Sequence, residues 1–414
     1  MLSTEAAESE ALVLSVPLSR LAHQSRLHFQ ASDAAITHVE IVPVLSAADF
    51  AMRVFAPSGS DVDAESLFTI QEELATGSSG GAESVTTLRI AKNDGGPTAT
   101  RVQLMLPHLI HLNVSVVHGG VTIQDKVEGD VKVVVGRGPI VVNKLRGKEL
   151  SLKTNDGSIR VASLVEGETV KLEAANSVNC KRLMAGKAEV KLGKGDPEAE
   201  SDFGAIYAAA CSITSATQSG QSLLRVGNMH GYLRVVGEGL KRVHVDSISG
   251  ALDLEDSGDK CEVEAHFDSW TDDAASSILV GGDVRVSLQP TAAIDVELHG
   301  TNVAVGEGCA FADSELDQLD EDYAVFTGEL IAQEGAVAAA ATSSGKINVG
   351  SAKDDAMRTS FFMNERAADD DDDNADEAEQ QPRTPRLFVH ALSGQVTLEQ
   401  LDWMANLKRQ HLKR

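Results

Sequence analysis

The chain is poor in aromatic side chains, in cysteine and in basic residues, and it holds no long apolar run. Phe, Tyr and Trp make up 4 % of 414 residues, while glycine reaches 35. Few aromatics with abundant Gly, Val, Ile and Leu argue against a helical bundle and for short strands joined by tight turns. Only Cys180, Cys211, Cys261 and Cys309 are present, no two of them close in sequence. No CxxC knuckle exists, and a disulfide framework would use more cysteines at closer spacing. The expectation is four reduced thiols in a reducing compartment. Lys and Arg number 36 against 62 Asp and Glu, a net charge of −26, which excludes a general nucleic-acid binder. No segment approaches the roughly 20 apolar residues of a membrane span. The opening residues, Met1 to Glu10, are acidic and lack both an apolar core and the arginines of a transit sequence. The expected location is intracellular, cytoplasmic or mitochondrial. The P-loop pattern is missing as well.

What the chain does have is a repeat. Glycines fall at 120, 129, 138, 147, 157, 167, 186 and 204, with spacings of 9, 9, 9, 10, 10, 19 and 18. Beside them run short alternating apolar segments: Val121-Thr-Ile, Val131-Lys-Val, Ile159-Arg-Val, Val170-Lys-Leu and Val190-Lys-Leu. Leu233-Arg-Val, Val243-His-Val and Leu252-Asp-Leu continue the pattern. Period-two alternation points one set of side chains to one face, and glycine lets the chain reverse between strands. An antiparallel sandwich would show less regular spacing. The reading is an all-β fold, a parallel β-solenoid with strands about every 9–10 residues and about 19 residues per coil.

The acids are uneven. Glu307 to Glu334 holds nine acids and no base; Glu365 to Glu379 holds nine acids and one base, including Asp369 to Asp373. These two runs carry −17 of the −26 and read as hydrated, mobile loops. The expected organisation is a poorly ordered segment 1–35, with a short helix over Leu18 to Leu27, and an N-terminal β cap 36–118. The solenoid follows at 119–306, then an acidic insertion 307–342, a closing strand 343–351, an acidic loop 352–385, and a closing strand with a C-terminal helix at 386–414. That helix is expected over Glu399 to Leu412, with Leu401, Met404, Ala405 and Leu412 on one face.

Units such as Gly147-Lys-Glu-Leu-Ser-Leu-Lys-Thr-Asn-Asp-Gly157-Ser-Ile-Arg-Val and Ser249-Gly-Ala-Leu-Asp-Leu resemble the putative-adhesin β-solenoid domain family. Leu106-Pro-His-Leu-Ile-His-Leu-Asn-Val-Ser-Val is similar to the lead-in strand of its uncharacterised eukaryotic member. Ser393-Gly-Gln-Val-Thr-Leu and Leu401-Asp-Trp are similar to its closing strand and tail. The resemblance covers about 100–305 and 386–407. It implies a β-solenoid and, by name, adhesion; it brings no catalytic residues. The two acidic insertions depart from the family pattern.

Lys132, Lys171 and Lys191 each sit between two inward aliphatics, at separations near whole numbers of coils. In register they would line one outer face of the first coils, where residues 121–195 hold fourteen bases and nine acids. That face is the candidate binding surface for an acidic protein partner. The bland reading is a solvated lysine row that keeps the sheet from sticking. His108 and His111, three apart on a strand, point to opposite faces and do not suit one metal. Ser79 in Gly77-Ser-Ser-Gly-Gly81 has loop flanks rather than the strand and helix of a nucleophile elbow. Asp253, Glu255 and Asp256 are the densest acids of the repeat, with no arginine spaced to join them. Neither a metal nor a cofactor is expected. The expected function is a non-catalytic scaffold or protein-binding module. The alternatives are a carbohydrate-active β-helix enzyme, or an exported adhesin if the N-terminus is incomplete.

Overall fold

The computed structural model describes residues 10–18, 21–22, 24–32, 36, 38–57, 68–76, 84–92, 101–196, 198–216, 221–270, 274–320, 322–333 and 384–413. The chain divides into two units, Met1–Arg225 and Val226–Arg414. Among the described residues both are β throughout, apart from one short 3-10 turn in the first and one α-helix in the second.

In the first unit the alternation becomes two parallel walls. One wall stacks Leu27, Leu112, Val131, Leu150, Val170, Ala188 and Cys211 in register. The other stacks Ile41, Ile123, Val142, Val161, Cys180 and Phe203. Every one of these side chains is buried. In the wound part each strand pairs with the strand one coil further along, so each coil sits on the one before it in parallel. Each buried aliphatic is worth about 1.5–3 kcal/mol relative to exposure, and an in-register ladder leaves none outside. The coil corners bring backbone too close for a side chain. A Cβ at Gly147 would lie 2.2 Å from the Gly129 carbonyl oxygen.

The winding starts earlier than the glycine repeat implies. Strands Glu10–Pro17 and Arg26–Ala31 replace the expected disordered segment and short helix. Leu27, Phe29 and Ala31 are buried at period two while the residues between them are not, and that pattern suits a strand. Arg26–Ala31 pairs in parallel with both Ser84–Lys92 and His111–His118. His38–Val44 pairs in parallel with both Arg101–Pro107 and Gly120–Glu128. The coil of residues 26–44 is thus held between two coils that follow it in sequence. Antiparallel strands cover the outermost coil: Phe68–Thr76 on Ser84–Lys92 and Ala51–Pro57 on Arg101–Pro107.

The second unit uses a similar device. Arg242–Asp256, Glu262–Ser269 and Val284–Leu288 stack in parallel. The next coil in space comes from the end of the chain. Arg386–Ala391 lies between Ala275–Val280 and Ile294–Gly300. Gln395–Gln400 lies between Val284–Leu288 and Asn302–Val305. The C-terminal strands therefore fill the stack from inside rather than closing its end. That end is covered by Tyr323–Leu330, antiparallel to Ile294–Gly300, with Phe311–Asp320 antiparallel to it in turn. The first acidic insertion is thus a hairpin, not a loop. Buried Ala324, Phe326 and Leu330 anchor it, while the acids stay exposed on Phe311–Asp320. The second acidic run and the strand expected at 343–351 lie outside the described residues, as does Ser79.

The helix spans Trp403–Lys413, later than expected, because Gln395–Gln400 still pairs as strand. Of the expected apolar face Met404 is exposed, Leu401 and Ala405 are half-buried, and the Leu412 side chain lies outside the described ones. Asn406 is buried, whereas Trp403, Met404 and Leu407 are exposed.

Candidate functional site

The register places Lys132 and Lys171 in one row, with Ser151 between them. Lys191 stands in the neighbouring row, level with Glu173 and Lys153. The three lysines therefore do not form a single line. The residue paired with Lys171 on the following coil is Glu189, and Lys191 reaches across to it at 2.7 Å. The hydrogen bond from Lys191, with Lys171 and Lys187 nearby, holds the Glu189 carboxyl below its usual range. Lys153 is paired with Glu173 at 2.7 Å. Lys132 and Lys171 form no ion pair among the described residues. The predicted face is thus a chequer of both signs with two unengaged lysines, not a basic stripe.

Lys132 lies in a groove of about 250 Å³ lined by Arg26, His28, His111, Asn113, Asp130, Glu149 and Ser151, over Leu112 and Val131. Two outward rows build it. One row reads His28, Asn113, Lys132, Ser151 across four coils. The other begins with Arg26 beside His111. The Asp130 backbone N–H lies 3.1 Å from His111 Nδ1, and the Asp130 carboxylate Oδ2 lies 3.3 Å from the same nitrogen. Asp130 Oδ1 accepts the backbone N–H groups of Lys148 and Glu149, both at 3.0 Å, which fixes the turn behind it. Burial, with Arg26 beside it, pushes the His28 pKa down, so its ring is neutral at pH 7. Two cations, two carboxylates and several neutral donors then face one opening. Such a set suits a polar, mixed-charge surface rather than a single anion. Sequence reasoning reaches Lys132. It misses His28 and Asn113, because the polar N-terminal stretch shows little periodicity and the row is assembled only by winding.

The acids Asp253, Glu255 and Asp256 do not act together. Asp253 Oδ1 accepts the Ser277 hydroxyl at 2.6 Å. Asp256 points inward and caps a turn, accepting the N–H groups of Gly239, Leu240 and Gly258 at 3.2, 3.0 and 2.8 Å. Among the described residues no three His, Cys, Asp or Glu side chains gather in a metal-holding geometry.

One further constellation lies outside the sequence-based expectations. His244 and His266 each stand two positions before an aspartate, Asp246 or Asp268. That doubled His-x-Asp pattern is the available signal. Ser287 Oγ lies 2.8 Å from His266 Nδ1, and His266 Nε2 lies 3.1 Å from Asp268 Oδ1. Asp268 also accepts from Ser247 and from Gln289 Nε2. Burial opposes its charge, yet the hydrogen bonds from His266, Ser247 and Gln289 outweigh that and hold its pKa down to about 2. The helix closes over this chain. Arg409 donates to Ser287 Oγ at 3.0 Å and to Glu399 Oε1 at 2.8 Å, and its Nε lies 3.5 Å from Glu264. Asn406 Nδ2 donates to the Asp246 carbonyl at 3.0 Å. Ser, His and Asp follow one another as in a hydrolase triad, with the ring nitrogens exchanged: Nδ1 faces the serine and Nε2 the aspartate. Ser287 is 0 % exposed, however, and its oxygen already accepts from Arg409, so in this conformation it meets no substrate.

No family model matches this chain. No curated protein matches it either. Among solved structures, one described as a putative cell adhesion protein from Clostridium sporogenes is similar over 95 % of this chain and 98 % of its own, at 9 % identity and a TM-score of 0.15. At that TM-score the likeness carries no argument about fold or function. No helix of the described residues is long and apolar enough to cross a membrane.

Proposed function

We propose that this protein is a non-catalytic scaffold whose first unit binds a protein partner at the groove around Lys132. The observation that carries the reading is the gathering, on a rigid parallel stack, of Arg26, Lys132, Asp130, Glu149, His28, Asn113 and Ser151 around one opening. Strands fix these side chains except Asp130, which its hydrogen bonds to the Lys148 and Glu149 N–H groups hold in a turn, so little ordering is lost on binding. The groove has no aromatic platform, which weighs against a sugar. The test is affinity capture from cell lysate with intact protein, followed by titration of the recovered partner. Lys132→Glu should weaken binding strongly, and Lys191→Glu should weaken it little, because Lys191 is already paired with Glu189. Equal retention by both variants would move the site elsewhere.

An enzymatic reading has one observation in its favour, the Ser287–His266–Asp268 chain. Its test is labelling by a serine-reactive fluorophosphonate in an Arg409→Ala variant, which frees the Ser287 oxygen. Modification of Ser287 that depends on His266 would support a hydrolase; an unlabelled serine would leave the scaffold reading.

A further inference from the structure

The C-terminal helix is amphipathic the wrong way round for a lone protein. A surface helix normally turns its apolar stripe to the core. Here Asn406 and Arg409 face the body, bonded to Asp246, Glu264, Ser287 and Glu399. Trp403, Met404 and Leu407, which share one side at positions i, i+1 and i+4, are 61, 47 and 42 % exposed. Trp403–Lys413 contains Lys408, Arg409 and Lys413 and no acid. The same unit carries the complementary surface. Among the described residues, Phe311–Asp320 pairs only with Tyr323–Leu330, so its other edge is open. That strand contains Asp313, Glu315, Asp317 and Asp320 and no base; its Leu316 and Leu319 are 59 and 66 % exposed, and a register shift between Gln318 and Asp320 breaks the strand alternation between them.

An open edge with exposed leucines invites association, and proteins often protect such an edge by laying a helix over it. The chain's own helix is pinned elsewhere by Asn406 and Arg409. We infer that a second copy of this chain supplies the cover: its helix packs Trp403, Met404 and Leu407 against Leu316 and Leu319, with Lys408 facing the strand's acids. The two surfaces share a root. Gln333, just past the hairpin, donates from Nε2 to Gln400 Oε1 at 2.9 Å, and Gln400 leads into the helix. Helix and strand can therefore cross-pair about a two-fold axis, each copy giving its helix to the other's edge, so that the contact is made twice and closes. One helix of eleven residues is only about 16 Å long, so a single contact would be small; two give a modest, reversible dimer. Charge complementarity selects a second copy over an anionic bilayer, because the acidic strand matches the basic helix while the net charge of −26 opposes approach to such a surface.

The experiment is sedimentation velocity of the full-length protein over a dilution series at low and physiological salt. The expected result is a monomer–dimer equilibrium that weakens with salt. Both W403S/L407S and L316S/L319S should weaken dimerisation about tenfold or more, as loss of paired central anchors does. All four positions are exposed, and unchanged circular dichroism would verify folding. Mixing the two variants is the decisive arm. One intact helix then meets one intact edge, so the mixed dimer should form more tightly than either variant alone. The swap K408E with E315K should restore what each single change removes. A monomer at every concentration would overturn the proposal. So would a dimer indifferent to either double variant, a mixture no tighter than its components, or Trp403-dependent binding to anionic vesicles without dimerisation.

Discussion

At Gly250 the backbone has φ +140°, and an added Cβ would lie 2.0 Å from the Gly231 carbonyl oxygen on the neighbouring coil. Gly250→Ala is expected to destabilise the protein by about 2–4 kcal/mol, through backbone strain and a displaced coil. Urea unfolding will measure the difference. The thiols give a second residue-scale expectation. Burial pushes the Cys180 and Cys211 pKa values up to about 12, and Cys261 is raised further by burial with Asp256 and Glu262 nearby. Thiolate is the reactive form, so these three should stay unmodified by iodoacetamide at mildly alkaline pH in the folded protein. Half-buried Cys309 should react first, and all four should react after denaturation, as mass spectrometry will show. His244 sets a pH dependence. Burial disfavours its charge, but hydrogen bonds to Asp246 and Glu264 prevail and hold its pKa above the ordinary value. A raised folded pKa stabilises fully below the unfolded value of about 6.5, and the benefit is lost as pH rises through the folded value. Asp268 works in the opposite sense, stabilising above its unfolded pKa and losing that as pH falls toward 2. His244→Gln should therefore flatten the decline of Tm on the alkaline side of about pH 6.5, and leave the acid limb unchanged.

Among the elements, the helix is held by one guanidinium and one amide. Removing Arg409 takes a cation from Glu264 and Glu399, leaving His244 beside the first and Arg285 beside the second, and takes a donor from the Ser287 oxygen. Arg409→Ala should cost about 2–3 kcal/mol of docking. Amides of Trp403–Lys413 should then exchange far faster, with those of the underlying coils much less affected. This polarity cannot be read along the helix itself. The periodicity of Leu401, Met404 and Ala405 names an apolar side, but Asn406 and Arg409 find their partners far back in the chain, at Asp246 and Glu264. The strands and their turns are legible because alternation and glycine spacing act over a few residues. The row of Lys132 follows from that spacing directly. Lys191 leaves the row because a small offset along a coil shifts a side chain to the next row, which only the register decides. The acidic hairpin is illegible for a related reason. Charge dominates Phe311–Asp320, yet the strand is held by Ala324, Phe326 and Leu330 on its partner.

On the scale of the whole chain, neither unit stacks all of its coils in chain order. Residues 26–44 lie between coils formed by residues 84–107 and 111–128. Residues 386–400 lie between coils formed by residues 275–288 and 294–305. The second arrangement has a consequence during synthesis. An interior coil of the second unit is made well after the two coils that flank it. Roughly 95 residues separate Val305 from Gln400, about 5–20 s of translation. Throughout that interval the nascent chain presents two facing sets of unpaired strand edges, Ala275–Val280 with Val284–Leu288 on one side and Ile294–Gly300 with Asn302–Val305 on the other. Such edges are templates for foreign strands. A protein terminated before Arg386 should therefore aggregate on expression, and a separately added peptide of residues 384–414 should return it to the soluble fraction. For a cell this means that a message stopped before residue 386 yields a product sticky enough to be caught by chaperones, whereas a chain that reaches Gln400 seals these edges itself.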